Sequence, residues 1–417
     1  MSMVVQHNMQ AANANRMLGI TSGAQAKSTE KLSSGYKINR AADDAAGLTI
    51  SEKMRKQIRG LDKASSNAQD GVSSVQTAEG ALTEVHSMLQ RMNELAVQSA
   101  NGTNSSDDRQ AIQDEVDQLT TEIDRVAETT KFNEIYLLKG DNSNTKNVYM
   151  KGHDAGLKGT LTDGAKSATF TMDALQAGDK YTIAGKEYTI GSATKEVTAL
   201  IDKANTDATA DTANKTVDVN GKTYTITYNA AGNTIADADG TAITLDNLKK
   251  AVTGGSKVTY GNTSLTAMTD ADTDGVDDDD SSIITKDVAE TKIKAELLTA
   301  NNIGTVDQAA TVEDANTANG KTSYTINKGY ATVADTLSFN LHVGADADMT
   351  NKITVDIDTM NSANLGIKGI NVKDASGTEA TYAIDAIADA VAKVSSQRSA
   401  LGAVQNRLEH TIDNLDN

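Results

Sequence analysis

The densest group of potential metal ligands is an acidic run that begins at Asp270. Asp270, Asp272 and Asp274 alternate with small residues before a glycine, as in the first half of a calcium-binding loop. The second half does not fit, because position twelve is Ser281, although the carboxylates at 277–280 could substitute irregularly. A hydrated acidic loop is the default interpretation, so the three aspartates are kept as a calcium candidate and no metal is assigned.

Residue patterns for catalysis are missing from the sequence. The five histidines form no His-Glu-x-x-His pair, and there is no Gly-x-Ser-x-Gly, Walker or dinucleotide motif. The chain has no cysteine, which excludes disulfides and thiolate metal sites. Carboxylates are so abundant that no pair of them is informative. The sequence therefore predicts a protein that is not an enzyme and uses no cofactor.

Charge is unevenly distributed along the chain. The formal net charge is −18, yet the first 60 residues carry nine lysines and arginines against four aspartates and glutamates. These basic residues lack the interleaved aromatics that stack on bases, so we expect a solvated or intersubunit helix face and no nucleic-acid partner. The sequence has neither 18 consecutive apolar residues nor the apolar core of a cleaved signal, so we expect no membrane insertion.

The N-terminal region is predicted to be mostly helical, because residues 1 to about 140 contain no proline and few strand-forming residues. Gly35 predicts a left-handed helix end, and Asp43 and Asp44 lie where the next helix would begin. Apolar or small residues then recur mostly three or four positions apart, which predicts a coiled-coil seam. They are Met54, Ile58, Leu61, Ser65, Ala68, Val72, Val75, Leu82, Val85, Leu89, Met92 and Ala96.

A turn and another helix follow this seam. Asn101-Gly102 interrupts the pattern, and Ser105 with Asp108 predicts a helix start. We expect the new helix to pack antiparallel to the preceding one. Its seam begins with Ile112, Val116, Leu119, Ile123 and Val126.

The same spacing returns near the other end of the sequence. One apolar stripe cannot be buried alone, so three such helices would cover one another in a bundle that brings the two ends together. With three Phe and no Trp, the interior must consist of small and aliphatic side chains. The C-terminal stripe comprises Ile384, Ile387, Val391, Val394, Leu401, Val404, Leu408, Ile412 and Leu415.

The middle of the chain, roughly residues 142–335, is rich in Thr, Asp, Ala, Gly and Asn. Short β-forming runs flank Ala184-Gly185 and Asn220-Gly221, which predicts two β-hairpins, and the run at 321–327 indicates a related third unit. Helices are expected at 245–252 and 286–298. The insert is predicted to be α+β, in one or two domains, and the whole chain multidomain, with a long coiled-coil-like helical rod formed by its N- and C-terminal segments.

Four stretches resemble the bacterial flagellins. They are Leu32–Leu48 (LSSGYKINRAADDAAGL), Leu89–Gly102 (LQRMNELAVQSANG), Glu122–Val126 (EIDRV) followed by Lys131–Asn133 (KFN), and Arg398–Leu408 (RSALGAVQNRL). The resemblance covers about residues 4–140 and 337–417 and leaves the insert unmatched. It implies four divisions: an inner-core helix and spoke loop at 1–42, the N-terminal part of the rod at 43–141, a variable insert rich in β-hairpins at 142–336, and a β element with the C-terminal rod helix at 337–417.

The resemblance implies a secreted, extracellular subunit that polymerises with itself into the flagellar filament and serves motility. Its partners would be the type III export apparatus, a chaperone, the filament cap and Toll-like receptor five of innate immunity. The alternative is the hook-filament junction protein, a hook-associated protein that shares the helical ends. A cell-surface adhesin ranks third, because it would require an anchor segment.

The site residues implied by the resemblance serve both receptor binding and filament packing. They are Arg91, Glu94, Leu95, Gln98, Glu115 and Arg407. A helix-face arginine is otherwise an ordinary exposed charge, and an apolar residue such as Leu95 at helical spacing more often belongs to a core.

The resemblance also raises an expectation about the chain's ends. Flagellins continue beyond a segment like 406–417 with a further helix that pairs with the N-terminal one. We therefore expect a fragment, with Met1-Ser2 a cloning remnant, impaired polymerisation, and a segment Met3–Ser34 that lacks a partner and is disordered.

Overall fold

The structure is a computed structural model that describes residues 9–416. Residues 1–8, which belong to the expected disordered segment, and Asn417 lie outside the described residues. Within residues 9–416 there are eight α-helices, and the longest, α2, runs uninterrupted because no proline breaks it. The helices are α1 (Met9–Ser34), α2 (Ala45–Ser99), α3 (Ser106–Thr129), α4 (Thr194–Ala210), α5 (Leu245–Lys250), α6 (Lys286–Asn301), α7 (Ser362–Leu365) and α8 (Thr378–Asp416).

The strands lie between α3 and α8. They are β1 (Lys131–Phe132), β2 (Ile135–Tyr136), β3 (Asp141–Tyr149), β4 (Thr160–Asp163), β5 (Ser167–Asp173), β6 (Lys180–Ile183), β7 (Lys186–Ile190), β8 (Lys215–Val219), β9 (Lys222–Thr227), β10 (Thr234–Asp237), β11 (Ala242–Ile243), β12 (Lys257–Tyr260), β13 (Thr263–Thr266), β14 (Ile283–Ile284), β15 (Thr311–Val312), β16 (Asn316–Ala318), β17 (Lys321–Asn327), β18 (Tyr330–Asp335), β19 (Leu337–His342) and β20 (Lys352–Ile357). Helical terminal regions with a β-rich middle are the fold class that the sequence predicts.

The chain divides into two compact units. The first contains the residues up to Gln76, those from 339 to 355 and those from Gly402 onward. The second contains residues 77–338 and 356–401. Helices α2 and α8 each contribute residues to both units. Among the described residues, no helix is long and apolar enough to cross a membrane.

In the first unit, the predicted break between the first two helices is confirmed. Gly35 has φ +73°, and its N–H donates to the carbonyl of Lys31 at 3.1 Å, which ends α1. Asp44 Oδ1 accepts from the N–H of Gly47 at 2.8 Å, so this carboxylate satisfies a free donor at the start of α2.

The apolar core of the first unit joins α2, the β19–β20 hairpin and the end of α8. Ala68, Val343, Ile353 and Leu408 are buried there. Gly71 faces the hairpin so closely that an added Cβ would collide with Leu341. The glycine thus allows the hairpin to lie close on the helix, and a larger residue would force the Leu341 side chain to move.

The structure departs from the sequence prediction at the start of this unit. Met54 and Ile58 were expected in the seam, but they are 58% and 59% exposed, and burial of the α2 seam begins at Ala64. The described part of the segment expected to be disordered, Met9–Ser34, is helical and has no buried residue. Its alanine-rich sequence favours helix locally, and within the chain no described element covers its apolar side chains.

In the second unit, α3 begins with the predicted capping box. Ser105 Oγ accepts from the N–H of Asp108 at 3.2 Å, and Asp108 Oδ2 accepts from the N–H of Ser105 at 3.1 Å. Contacts of Arg91 with Glu115 and of Arg109 with Ser99 show that α2 and α3 run antiparallel, as predicted. The apolar stripes of the three helices are buried in this unit through Leu82, Val85, Leu89, Met92, Ile112, Val116, Ile123, Ile387, Val394 and Leu401.

The described residues of the β-rich middle form two larger apolar cores and a smaller cluster centred on β18. One comprises Phe170, Tyr324 and Ile326 with apolar residues of α6, and the other comprises Val217 and Ile226 with apolar residues of α4 and α5. The strand orders are β15-β17-β5-β4 and β14-β7-β6 around the first core and β11-β10-β9-β8-β12-β13 around the second.

The predicted hairpins are confirmed. Strands β6–β7, β8–β9 and β16–β17 are antiparallel pairs joined by two residues. In the second, Asn220 and Gly221 have φ +55° and +81°, the left-handed pair that a type I′ turn requires. Helices α5 and α6 lie at the expected places, but α5 stops at Lys250 and α6 continues to Asn301.

Leu82→Ala should lower the free energy of unfolding of the helical part by about 3 kcal/mol, because it leaves a cavity at a fully buried position. The measurement is urea denaturation followed by far-ultraviolet dichroism at 222 nm. Leu32→Ala is the matched control, since Leu32 is 86% exposed and should leave the midpoint nearly unchanged. Equal effects of the two substitutions would contradict the burial assigned to the seam.

Candidate binding surface on α2 and α3

The side chains on the outer face of α2 are exposed because the opposite face is used for the core. Leu89, Met92 and Ala96 are buried, and this stripe leaves Arg91 and Glu94 on the solvent side of the helix. The side chains of Arg91 and Glu94 are 49% and 69% exposed. This spacing is visible in the sequence, and the structure agrees with it.

Arg91, Glu94 and Glu115 form one ion-pair cluster, which we call the Arg91 cluster. Arg91 Nε donates to Glu115 Oε1 at 2.8 Å, and Arg91 Nη1 donates to Glu94 Oε2 at 3.2 Å. The hydrogen bond to Glu115, followed by that to Glu94, raises the pKa of Arg91 above its ordinary value. The cluster therefore presents a guanidinium, held between two carboxylates, across the outer faces of α2 and α3.

Leu95 and Gln98 differ in accessibility. Leu95 is only 2% exposed and packs in the core beneath the cluster. Gln98 is exposed, and its carbonyl accepts from the N–H of Asn101 at 3.2 Å and from the side-chain amide of Asn104. Of the sequence-derived residues on α2, Arg91, Glu94 and Gln98 are thus accessible to a partner, whereas Leu95 supports them from below.

Arg407 belongs to the first unit, on the last turns of α8. It is exposed and lines a groove of about 760 Å³ together with Lys352 and His410. Its carbonyl accepts from Thr411 Oγ1 at 2.7 Å.

A buried arginine that the sequence interpretation missed holds the end of α2 against α3. Arg109 is 5% exposed, and its guanidinium donates to the carbonyls of Ser99 at 3.2 Å, Asn101 at 3.2 Å and Ala375 at 2.8 Å. One side chain thereby satisfies three carbonyls, including one in the segment that leads into α8.

Two further polar side chains of α3 hold the segment before α8. Gln113 donates to the carbonyl of Ile370 at 2.9 Å and accepts from the N–H of Val372 at 2.7 Å, while Asp124 accepts from the N–H and Oγ of Ser362 at 2.7 and 2.8 Å. The sequence contains a signal for the contacts of Arg109 and Gln113, because both residues share the helical phase of the apolar stripe that begins at Ile112. Polar residues in an apolar register require partners.

The calcium candidate lies in a tight acidic loop of the second unit. One carboxylate oxygen from each of Asp270, Asp272 and Asp274 lies within 4.8 Å of the others. These carboxylates also accept backbone N–H groups of the loop, including Asp274 N to Asp270 Oδ1 at 3.1 Å and Val276 N to Asp274 Oδ1 at 2.7 Å. Calcium binding at this loop stays a prediction, because the turn geometry alone accounts for the convergence.

The amino-acid sequence matches two family descriptions at its ends. The bacterial flagellin N-terminal helical region matches residues 5–143, and the bacterial flagellin C-terminal helical region matches residues 384–417. A flagellin of Clostridium tyrobutyricum is 37% identical over 419 residues, which cover 99% of this chain and 87% of that protein. A flagellin of Halalkalibacterium halodurans is 62% identical over 136 residues, covering 33% of this chain and 50% of that protein.

Two solved structures show weaker likeness. FliC from Burkholderia pseudomallei is 18% identical with a TM-score of 0.32, and the match covers 81% of this chain and 99% of that one. The flagellar junction protein FlgL from Legionella pneumophila is 14% identical with a TM-score of 0.32, covering 86% of this chain and 99% of that one. Neither likeness decides how the parts of this chain are arranged.

Arg109→Met should lower the free energy of unfolding by about 3 kcal/mol, because the buried carbonyl of Ser99 and the part-buried carbonyls of Asn101 and Ala375 lose their donor. Thermal unfolding followed by dichroism measures the effect. Arg125→Met is the matched control on the same helix, since Arg125 is 59% exposed and its described ion pair is with Glu122, and it should leave the melting temperature nearly unchanged. If Arg109→Met melts at the wild-type temperature, the hydrogen bonds of the Arg109 guanidinium contribute nothing to stability.

Proposed function

This chain belongs to the bacterial flagellin family and is a structural subunit of the flagellar filament rather than an enzyme, and from that premise we propose that the Arg91 cluster is a two-purpose binding surface. In the filament it packs against a neighbouring subunit, and in the free subunit it is captured by Toll-like receptor five. The observation that carries the proposal is the exposed guanidinium held between Glu94 and Glu115.

The exposure of the cluster supports a role in binding rather than in stability. Exposed ion pairs contribute little to folding, because solvent screens them and two long side chains must be ordered. Arginine is enriched at binding hot spots, since its planar guanidinium can form several directed hydrogen bonds and stack at once. A partner that covers this surface would remove the cluster from solvent. The electrostatic interactions of its charges would then become stronger, because water no longer screens them.

The remaining site residues have distinct parts in this proposal. Gln98 extends the surface by two helical turns beyond Arg91, with exposed donor and acceptor atoms. Leu95 acts by packing, so that the backbone beneath the cluster is held in place. Arg407 is a separate binding residue of the first unit in this proposal, exposed beside Lys352 and His410.

We further propose that the subunit is secreted through the flagellar type III apparatus, attended by a chaperone, and assembled beneath the cap. The chain contains no cysteine and no proline. An unfolded chain of this composition refolds without disulfide exchange and without prolyl isomerisation, which are slow steps. In this proposal residues 1–42 belong to the inner core, 43–141 and 337–417 to the rod, and 142–336 to the projecting insert.

The alternative function is that of a hook-filament junction protein. Against it, a flagellin matches 99% of this chain at 37% identity. Counting subunits in a sheared surface fraction distinguishes the two, because a filament contains thousands of copies and a junction contains few.

Arg91→Ala should weaken binding to the purified receptor ectodomain by about ten-fold or more, because a central arginine of the surface is lost. Surface plasmon resonance measures the affinity, and the melting temperature should stay close to that of the wild type because the side chain is exposed. Arg59→Ala, at an exposed arginine outside the cluster, is the control and should bind normally. Unchanged binding by Arg91→Ala would remove the receptor role from this surface.

The packing role predicts that Arg91→Ala also reduces incorporation into filament seeds, measured by sedimentation beside the wild-type chain. The control here is Arg125→Ala, whose guanidinium forms its described ion pair with Glu122 of the same helix. Normal incorporation of Arg91→Ala with lost receptor binding would restrict the cluster to the receptor role.

A further inference from the structure

The first part of α2 carries a basic face that no described side chain neutralises. Lys53, Lys56 and Lys63 are exposed and form no ion pair with any described carboxylate. At about 100° per residue, the three lysines lie within roughly 80° of one another around the helix. The carboxylate nearest in helical phase, Glu52, is already paired with Arg55 at 2.8 Å. This face therefore has surplus positive charge.

Helix α3 has the opposite character. It contains eight acidic residues and two basic ones, and one of the two, Arg109, is buried. Asp107, Asp114 and Asp117 are exposed on one face and form no ion pair with any described cation. Asp114 and Asp117 accept hydrogen bonds only from neutral glutamine amides, at 2.8 Å each. This face therefore has surplus negative charge.

The spacings of the two faces match when the helices run antiparallel. Along α2 the lysines are separated by three and then seven residues, and along α3, in reverse order, the aspartates are separated by three and then seven. With a rise of about 1.5 Å per residue, both sets of charges lie about 4.5 and 10.5 Å apart. We propose that the basic face of α2 docks antiparallel on the acidic face of α3 of a second copy of this chain.

In this pairing Lys53 lies opposite Asp117, Lys56 opposite Asp114 and Lys63 opposite Asp107. The complementary charges set partner, orientation and register more than they set affinity.

The pairing uses two different surfaces, so each copy retains one free basic face and one free acidic face. Such a heterologous contact does not close on itself in pairs and generates an open, helical array. The inference rests on the proposed self-packing of the filament subunit and names one contact within it. Since surface charges are screened over about 10 Å at 0.1 M salt, the contact should weaken as ionic strength rises.

Site-directed crosslinking tests the pairing, because the natural chain contains no cysteine that could interfere. A tagged Lys56→Cys copy is mixed with an untagged Asp114→Cys copy on filament seeds and in concentrated solution, and is then oxidised. We expect at least about ten-fold more mixed dimer than from the control mixture of Lys56→Cys with Asp246→Cys, an exposed position on α5. Equal yields from the two mixtures would overturn the pairing.

Charge reversal provides a second, independent test in the same crosslinking assay. Lys53→Glu in the Lys56→Cys copy should reduce the mixed dimer by about ten-fold, and Asp117→Lys in the other copy should restore it. A reduction that Asp117→Lys fails to restore would refute the stated register. Sedimentation with seeds is recorded in parallel. If the wild-type chain sediments but the designed pair fails to crosslink, this contact is wrong while the filament role stands. If the pair crosslinks without sedimentation, the contact is supported between copies in solution.

Discussion

A long helix with one apolar stripe has no means of removing that stripe from water by itself. In the second unit, α2 is covered by α3, its neighbour in sequence, and by α8, which lies nearly three hundred residues further along the chain. The chain between α3 and α8 must therefore leave the helical bundle and return to it. The β-rich middle therefore has cores that are largely its own, and Tyr382 of α8 is buried in the one that contains Phe170.

Apolar stripes alone leave the axial register of helices weakly specified. Polar side chains that hydrogen-bond to the backbone of a neighbouring segment fix this register, and we call them polar clamps. Arg109, Gln113 and Asp124 each reach from α3 to backbone atoms at chosen points, and the segment before α8 is held at Ile370, Val372 and Ala375. Breaking such a bond leaves a buried polar group without its partner, which costs more than the bond itself contributes. The clamps thus determine where the outer residues of α2 and α3 meet, including Arg91 and Glu115.

Polar residues on the outer faces contribute little to folding and remain available to partners. The guanidinium of the Arg91 cluster is paired within one chain, whereas the lysines of early α2 and the aspartates of α3 have no described ion-pair partner. A paired cluster offers directed hydrogen bonds, and unpaired charged faces offer attraction to a complementary surface. Both kinds of surface lie on helices rather than in loops, which suits a subunit that must repeat one geometry many times.

Local chemistry in the sequence determined the helix end at Gly35, the capping box at Ser105 and the three two-residue hairpins. It also determined that Arg91 and Glu94 face solvent. Each of these features depends on residues within one or two turns of one another. Only the tertiary structure decided that Leu95 is buried, that Met54 and Ile58 are exposed, that Glu115 reaches Arg91 and that β17 pairs with β5. Periodicity states which face of an element is apolar but does not state which distant element covers it, or where that cover ends. The sequence likewise places a charge on a face, while its partner depends on long-range packing that no local pattern contains.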